Sequence, residues 1–117
     1  MKIRREITCP LELTHDIVKG KWKPVIVWSL LEGRSLADLE RSIAGISQKM
    51  LLEHLKELMA YDVVRKRTWE GYPLRVEYRL TERGRRLREA IGILQGIGVE
   101  IMAGKPGDPD THGKVGN

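Results

Sequence analysis

The fold of this chain is decided by residues 45–80, which read GISQKMLLEHLKELMAYDVVRKRTWEGYPLRVEYRL. The first half of this stretch has helical spacing, because at about 100° per residue Leu51, Leu55 and Leu58 fall on one face. The second half contains two short alternating runs on either side of a turn at residues 70–73, which predicts a two-stranded hairpin. A capped helix that leads into a basic hairpin is typical of a helix-turn-helix followed by a wing.

The sequence predicts five helices, which cover residues 10–18, 24–31, 35–43, 47–60 and 82–104. Pro10 and Pro24 suit the first turn of a helix, where the missing N–H of proline has no partner to lose. Ser35, Ser47 and Thr81 are placed to cap the free N–H groups of the helices that follow them. The expected fold class is therefore mainly α with a small β-hairpin (α+β): a winged helix-turn-helix with a three-helix core, a wing and dimerisation helices.

The helix expected at residues 24–31 is almost entirely apolar, so we expect it at the centre of the core. Gly33 is expected to end this helix as a C-cap residue. Trp22 and Trp28 are interpreted as core side chains. A competing interpretation places a small-molecule effector against these two rings, between the core helices and the dimerisation helices.

The last helix changes character halfway, because residues 90–103 contain only Gln95 and Glu100 as polar side chains. A helix that is apolar on every side needs a second packing partner. That partner is either the core of the same chain or a second copy, and we favour a homodimer in which Gly92 and Gly96 allow close approach. The predicted dimer contacts are Leu13, Ile17, Ile91, Leu94, Ile97 and Ile101.

The composition is that of one folded domain. Of the 117 residues, 41% are hydrophobic and 32% are charged, and no apolar run approaches the ~18 residues that a membrane-spanning helix needs. We expect the domain to cover residues 1–104 and residues 105–117 to form a disordered tail. A single cysteine, Cys9, excludes a disulfide within the chain and fits a cytoplasmic protein with no membrane partner.

Positive charge is concentrated in residues 65–88, where nine basic residues stand against three acidic ones. This distribution indicates a polyanionic partner, and beside a helix-turn-helix the expected partner is double-stranded DNA. The part of this run at residues 83–88 fits a solvated helix face equally well. The predicted DNA-binding residues are Ser47, Gln48, Lys49, Leu52, Glu53, Lys56, Lys66, Arg67 and Arg75.

The predicted contacts divide into base recognition and backbone binding. Gln48 can form two hydrogen bonds with an adenine edge, Lys49 can bind guanine or a phosphate, and Glu53 can accept a hydrogen bond from cytosine. Arg67 and Arg75 are expected to hold the flanking backbone or the minor groove. A two-fold symmetric dimer would require a pseudo-palindromic operator.

An enzyme is not expected. The sequence has no phosphate-binding loop, and His15, His54 and His112 are not spaced like metal ligands. Cys9 has no evident partners for nucleophilic catalysis, so we expect no cofactor and no metal. The alternative class of function is a winged-helix module that binds protein or RNA, because this fold does not determine its partner.

Several short motifs resemble one family when they are taken in order. They are Cys9 with Pro10, residues 20–23 with Trp28, residues 45–51, residues 75–78, and Leu80, Thr81 and Gly84. With these motifs the chain resembles the HxlR family of winged helix-turn-helix transcriptional regulators, which are distant relatives of the MarR type. The resemblance implies a homodimer, dimerisation through the first and last helices, and a major-groove helix that begins at Ser47.

The resemblance also bears on regulation. Some relatives in this family sense oxidants or electrophiles through a cysteine near the N-terminus, and Cys9 occupies a matching position. The alternatives for Cys9 are a small buried hydrophobic side chain or a helix-flanking residue, and a small-molecule effector is the competing signal. The chain departs from the family pattern in three places: at Leu36, where an aromatic residue is common, at Asp62, where a glycine often precedes the strand, and at Leu74, where a second proline is frequent. The operator sequence and the direction of regulation do not follow from the sequence.

Overall fold

The computed structural model describes residues 9–104. In chain order, the elements are α1 (Pro10–Val18), α2 (Trp22–Ser29), α3 (Leu36–Ser42), α4 (Gln48–Ala60), β1 (Val64–Trp69), β2 (Arg75–Leu80) and α5 (Glu82–Met102). The predicted fold class is confirmed, since the described residues form helices with one antiparallel hairpin. The predicted disordered tail lies outside the described residues, and the domain boundary at residue 104 stays a prediction.

Three helices begin at the caps that the sequence predicts. The side-chain oxygens of Ser35, Ser47 and Thr81 each accept a hydrogen bond from the backbone N–H three residues later, at 3.1, 3.2 and 3.0 Å. Each bond satisfies one of the N–H groups that the first turn of a helix leaves without a backbone partner. The starts of α3, α4 and α5 are therefore determined locally.

The predicted bounds of α2 are wrong by two residues at each end, because the helix begins at Trp22 and ends at Ser29. Pro24 consequently occupies the third helical position, which is tolerated since the first four N–H groups of a helix have no partner within it. Gly33 is not the C-cap, a position that Leu30 takes. A Cβ atom at Gly33 would instead overlap the carboxylate of Glu77, so this glycine leaves room for that side chain.

The core draws apolar side chains from the helices and from the hairpin. Its fully or almost fully buried members are Ile26, Val27, Leu30, Leu39, Ile43, Leu51, Leu55, Leu58, Val63, Val64, Tyr78 and Leu80. Within it, α2 contacts α3, α4 and α5. The expectation that α2 is central is therefore confirmed, and the α4 face predicted from Leu51, Leu55 and Leu58 is the buried one.

The interpretation of Trp28 as a core side chain is wrong. Trp28 is 36% exposed, and Val25 and Leu31 are exposed as well, whereas Trp22 is partly buried against the core. A helix in this position buries one stripe of its surface, and the apolar run of α2 is wider than that stripe. The outer part of the run therefore remains at the surface of the single chain.

The hairpin is antiparallel, and its register places Arg75 opposite Trp69 next to the turn. One residue outside the two strands also pairs with the hairpin. Arg34 exchanges two backbone hydrogen bonds with Tyr78, at 2.9 and 2.7 Å. This bridge closes the outer edge of β2 beside the core. Burial raises the pKa of the Tyr78 phenol above its usual value, so the ring is a neutral core side chain.

A compact corner connects α4, β1 and α5. Asp62 adopts a left-handed backbone conformation, with φ at 58°, which explains why glycine is common here in the family that the chain resembles. The Thr81 hydroxyl donates to the carbonyl oxygens of Asp62 and Val63, at 2.6 and 3.2 Å. The start of α5 is thereby tied to the backbone that precedes the wing.

The longest helix, α5, spans 21 residues and packs against α2 and β2. A Cβ atom at Gly92 would lie 3.1 Å from the Trp28 ring, so the close approach at this glycine is made within the chain. Gly96, by contrast, faces open space. Within residues 9–104, none of the helices has both the length and the apolar character required to cross a membrane.

Candidate nucleic-acid interface

The turn between α3 and α4 is anchored to the core on both sides. Gly45 has φ at 87°, a conformation that other residues rarely adopt. Ile43 and Ile46, on either side of it, are buried, and Ser47 then caps α4. The predicted helix-turn-helix is confirmed, and α4 is its second helix.

The outer face of α4 is mainly polar and exposed to solvent. All five predicted contact residues of this helix, namely Gln48, Lys49, Leu52, Glu53 and Lys56, are exposed, and so is the capping Ser47. Lys49, Glu53 and Lys56 lie opposite the leucine face that is buried in the core, whereas Gln48 and Leu52 lie at the edge of that face. The arrangement lets the first two turns of α4 present their side chains to a groove without disturbing the core.

The inner side of α4 is fixed by an ion pair that the sequence does not predict. The Lys23 ammonium, on α2, lies 3.3 Å from the Glu57 carboxylate, and the Lys23 side chain is almost fully buried. His54 Nδ1 lies 3.5 Å from the same carboxylate oxygen. Because these groups join α2 to α4, they set how the second helix of the helix-turn-helix sits on the domain.

The two faces of the hairpin have different roles. Successive strand residues point to opposite faces, so Lys66 shares a face with its cross-strand partner Tyr78, whereas Arg67 and Arg75 lie on the outer face. All three basic side chains are exposed. The structure therefore brings Arg67 and Arg75 together and separates them from Lys66.

Trp69 lies between the two outer arginines, although it is not among the binding residues expected from the sequence. The guanidinium carbon of Arg67 is 4.5 Å from the centroid of the Trp69 ring, and that of Arg75 is 5.1 Å away. Distances below about 6 Å are those of cation–π contacts. The alternation of β1 places Arg67 and Trp69 on one face, but the contact with Arg75 requires the register of the hairpin.

Three other basic residues of the run 65–88 make contacts within the fold. Arg83 donates to the backbone carbonyl of Tyr61 at 2.7 Å, and Arg88 donates to that of Trp28 at 3.0 Å while lying 4.2 Å from its ring centroid. Arg79 forms an ion pair with Glu77 at 2.8 Å. Of these three arginines, Arg79 has its charge paired with a carboxylate, whereas Arg83 and Arg88 bind neutral carbonyl groups.

Cys9 is exposed and occupies the N-cap position of α1. Its carbonyl oxygen accepts hydrogen bonds from the backbone N–H groups of Glu12 and Leu13, at 3.0 and 3.3 Å. The interpretation of Cys9 as a buried hydrophobic side chain is wrong, and its position flanking a helix is confirmed. No group of three or more His, Cys, Asp or Glu side chains in the described part of the chain is placed to hold a metal ion.

The residues predicted to form a dimer interface fall into two groups. Leu94, Ile97 and Ile101 are exposed on α5, whereas Ile91 already belongs to the core of the single chain. On α1, Leu13 and Ile17 are partly buried. The far half of α5 thus carries apolar side chains that residues 9–104 leave exposed.

Comparisons with known proteins agree with this architecture. A family model described as HxlR-like helix-turn-helix matches residues 17–105. The uncharacterized HTH-type transcriptional regulator YkvN of Bacillus subtilis is 35% identical over 85 residues, which are 72% of this chain and 72% of YkvN.

Two solved regulators have a similar structure. The redox regulator HypR in its reduced form matches with a TM-score of 0.76 and 30% identity, over 80% of this chain and 94% of that chain. The reduced form of the transcriptional regulator YodB from B. subtilis matches with a TM-score of 0.71 and 29% identity, over 80% of this chain and 94% of that one.

The family model covers well over half of the chain and includes the helix-turn-helix, the wing and α5. These relatives are transcriptional regulators and not enzymes, so the expectation of a non-enzymatic regulator is confirmed. The chain is a transcriptional regulator with a winged helix-turn-helix, and it belongs to the HxlR-like helix-turn-helix family.

Proposed function

We propose that the chain binds double-stranded DNA as a homodimer, with α4 in the major groove and the wing on the flanking backbone or minor groove. The observation that carries this proposal is the exposed outer face of α4, anchored on its other side by the buried leucines. Helix-turn-helix proteins read bases with the N-terminal residues of their second helix. Residues of that kind, Gln48 and Lys49, stand at the start of α4.

The chemistry of this face favours sequence discrimination over general attraction to phosphate. Gln48 can satisfy the donor and the acceptor of an adenine edge, and Lys49 can donate to guanine. Glu53 lies on the same exposed face, where it would repel phosphates but can accept a hydrogen bond from cytosine. Leu52 and Lys56 extend the face by one turn, and Ser47 and Lys66 are proposed as further DNA contacts.

The dimer is supported by the exposed stripe on α5. At about 100° per residue, Leu94, Ile97 and Ile101 fall within roughly 60° of one another, and all three are exposed in the single chain. Packing this stripe against the same stripe of a second chain would remove apolar surface from water. Such burial stabilises a dimer by about 25 cal/mol for each Å² removed from water. We propose that Leu13 and Ile17 of α1, which are partly buried, contribute to the same interface, and that Ile91, a core residue, lies beneath it.

Selecting bound sequences from a random duplex pool tests both parts of the proposal. We expect enrichment of a pseudo-palindrome with half-sites about 34 Å apart, or a multiple of that distance, and a dimer mass by sedimentation. A filter-binding comparison with structured RNA serves as the control. Equal binding of RNA and of unselected duplexes would favour the alternative function, a protein- or RNA-interaction module.

We further propose that a signal controls DNA binding through the Cys9 thiol, with a small-molecule effector as the competing input. The solved HypR structures include a reduced and an oxidized form, and YodB was solved after diamide treatment. In this chain Cys9 is exposed and therefore accessible to an oxidant. Because it is the only cysteine, its disulfide would join two chains.

Substitution of the thiol tests this control. Diamide removes two electrons and two protons from two Cys9 thiols to form an S–S bond, and is itself reduced to the hydrazine. We expect diamide to change the operator affinity of the wild type severalfold and to leave Cys9→Ser unchanged, as measured by gel shift and non-reducing electrophoresis. Identical responses of the two proteins would remove the thiol switch.

The proposed site of action is the cytoplasm, whose reduced thiol pool suits a single free cysteine. No membrane partner is part of the proposal. The proposal also requires no cofactor, because the contacts it invokes are made by side chains of α4, the wing and α5.

A further inference from the structure

We propose that Trp69 is a positioning residue of the wing, which holds Arg67 and Arg75 as a pair with their N–H groups free for DNA phosphates. This inference rests on the proposed DNA-binding function and adds a residue to it. It starts from the two distances of 4.5 and 5.1 Å between the arginine guanidinium carbons and the Trp69 ring centroid.

The contact between Arg67 and the Trp69 ring forms although Arg67 has an acidic residue directly across the hairpin. The register pairs Arg67 with Glu77, and opposite charges at such positions normally attract each other. The Glu77 carboxylate instead accepts hydrogen bonds from Arg79, at 3.2 and 2.8 Å. Arg67 is thus held by the ring, and its charge is not neutralised by its cross-strand neighbour.

A ring holds a guanidinium differently from a carboxylate. Attraction to the π-face of the ring does not consume N–H donors, whereas a carboxylate accepts two of the five donors of arginine in its most favourable geometry. Within the described part of the chain, the ring is the partner of both Arg67 and Arg75. Their donors therefore remain available for phosphate oxygens.

Positioning also lowers the cost of binding. A free arginine side chain has many rotamers, and fixing it in an interface costs conformational entropy. Two arginines that already rest on one half-buried ring have lost part of that freedom before DNA arrives. The wing therefore presents one ordered pair of charges.

The test compares Trp69→Leu, which removes the aromatic face, with Trp69→Phe, which keeps it. For a selected operator duplex we expect Trp69→Leu to bind about 3- to 10-fold more weakly and Trp69→Phe to stay within about twofold of the wild type. Because no charge is removed, the slope of log affinity against log salt should remain that of the wild type. Thermal unfolding of each variant verifies that the fold is retained.

A double-mutant cycle separates positioning from direct contact. In the Arg67→Ala/Arg75→Ala background, Trp69→Leu should have no further effect on affinity, since nothing is left to position. Wild-type affinity for Trp69→Leu, or an equal loss in both backgrounds, would overturn the inference, as would a loss in Trp69→Phe as large as in Trp69→Leu. If the wild type itself failed to bind duplex DNA, the proposed function would fall instead.

Discussion

Gly84→Ala is expected to destabilise the protein by about 2 to 3 kcal/mol, a loss in the range measured for overpacking in a rigid environment. A Cβ atom at this position would overlap the carbonyl oxygen of Val63 and would lie 3.1 Å from the Leu80 side chain. The same carbonyl accepts hydrogen bonds from the Thr81 backbone N–H and hydroxyl, at 3.1 and 3.2 Å. Moving α5 away to make room would stretch both bonds.

Thermal unfolding at a fixed protein concentration measures this effect. A loss of 1 kcal/mol lowers the melting temperature of a domain of this size by about 4–8 °C, so we expect a decrease of roughly 10–20 °C. Gly96→Ala is the matched control, because it lies on the same helix, outside the stripe of Leu94, Ile97 and Ile101, and a Cβ atom there meets no neighbour within residues 9–104. Alanine favours a helix over glycine by up to about 1 kcal/mol, so this control should be as stable as the wild type or more stable. Equal melting temperatures for the two variants would contradict the close contact between Gly84 and the Val63 carbonyl oxygen.

Removing both wing arginines is expected to weaken DNA binding to every sequence. Hydrogen bonds to charged groups contribute about 1.5–3 kcal/mol in general, and exposure lowers this value, so we expect Arg67→Ala/Arg75→Ala to bind roughly 10- to 100-fold more weakly at ~0.15 M salt. The slope of log affinity against log salt should fall by about 0.9 for each phosphate that the variant no longer neutralises. Titration of a fluorescent operator at four salt concentrations gives both quantities.

Gln48→Ala provides the contrast to this double variant. Gln48 is exposed at the start of α4 and carries no charge, so its loss should reduce the preference for the operator over random duplex while leaving the salt slope as it is. A wild-type salt slope in the arginine variant would show that the wing does not contact phosphates. An unaltered sequence preference in Gln48→Ala would place base recognition elsewhere on α4.

Much of the architecture could be predicted because its signals are local. Ser35, Ser47 and Thr81 cap helices through N–H groups three residues away, and the leucine spacing in α4 assigns its buried face without reference to the rest of the chain. The two runs on either side of residues 70–73 likewise predict the hairpin from neighbouring residues alone. The interpretation of Trp28 as a core side chain was wrong. The apolar residues of α2 surround the helix, so the sequence does not show which side of α2 the other elements cover.

The sequence by itself therefore determined the helices with their caps, the hairpin and the exposed polar face of α4, because these depend on hydrogen bonds and periodicities within a few residues. Only the tertiary structure decided why Gly84 must be a glycine, that Lys23 is buried against Glu57, and that Trp69 holds Arg75 as well as Arg67. Each of these depends on atoms from a second element, and its position follows from how the helices and the hairpin pack around one core.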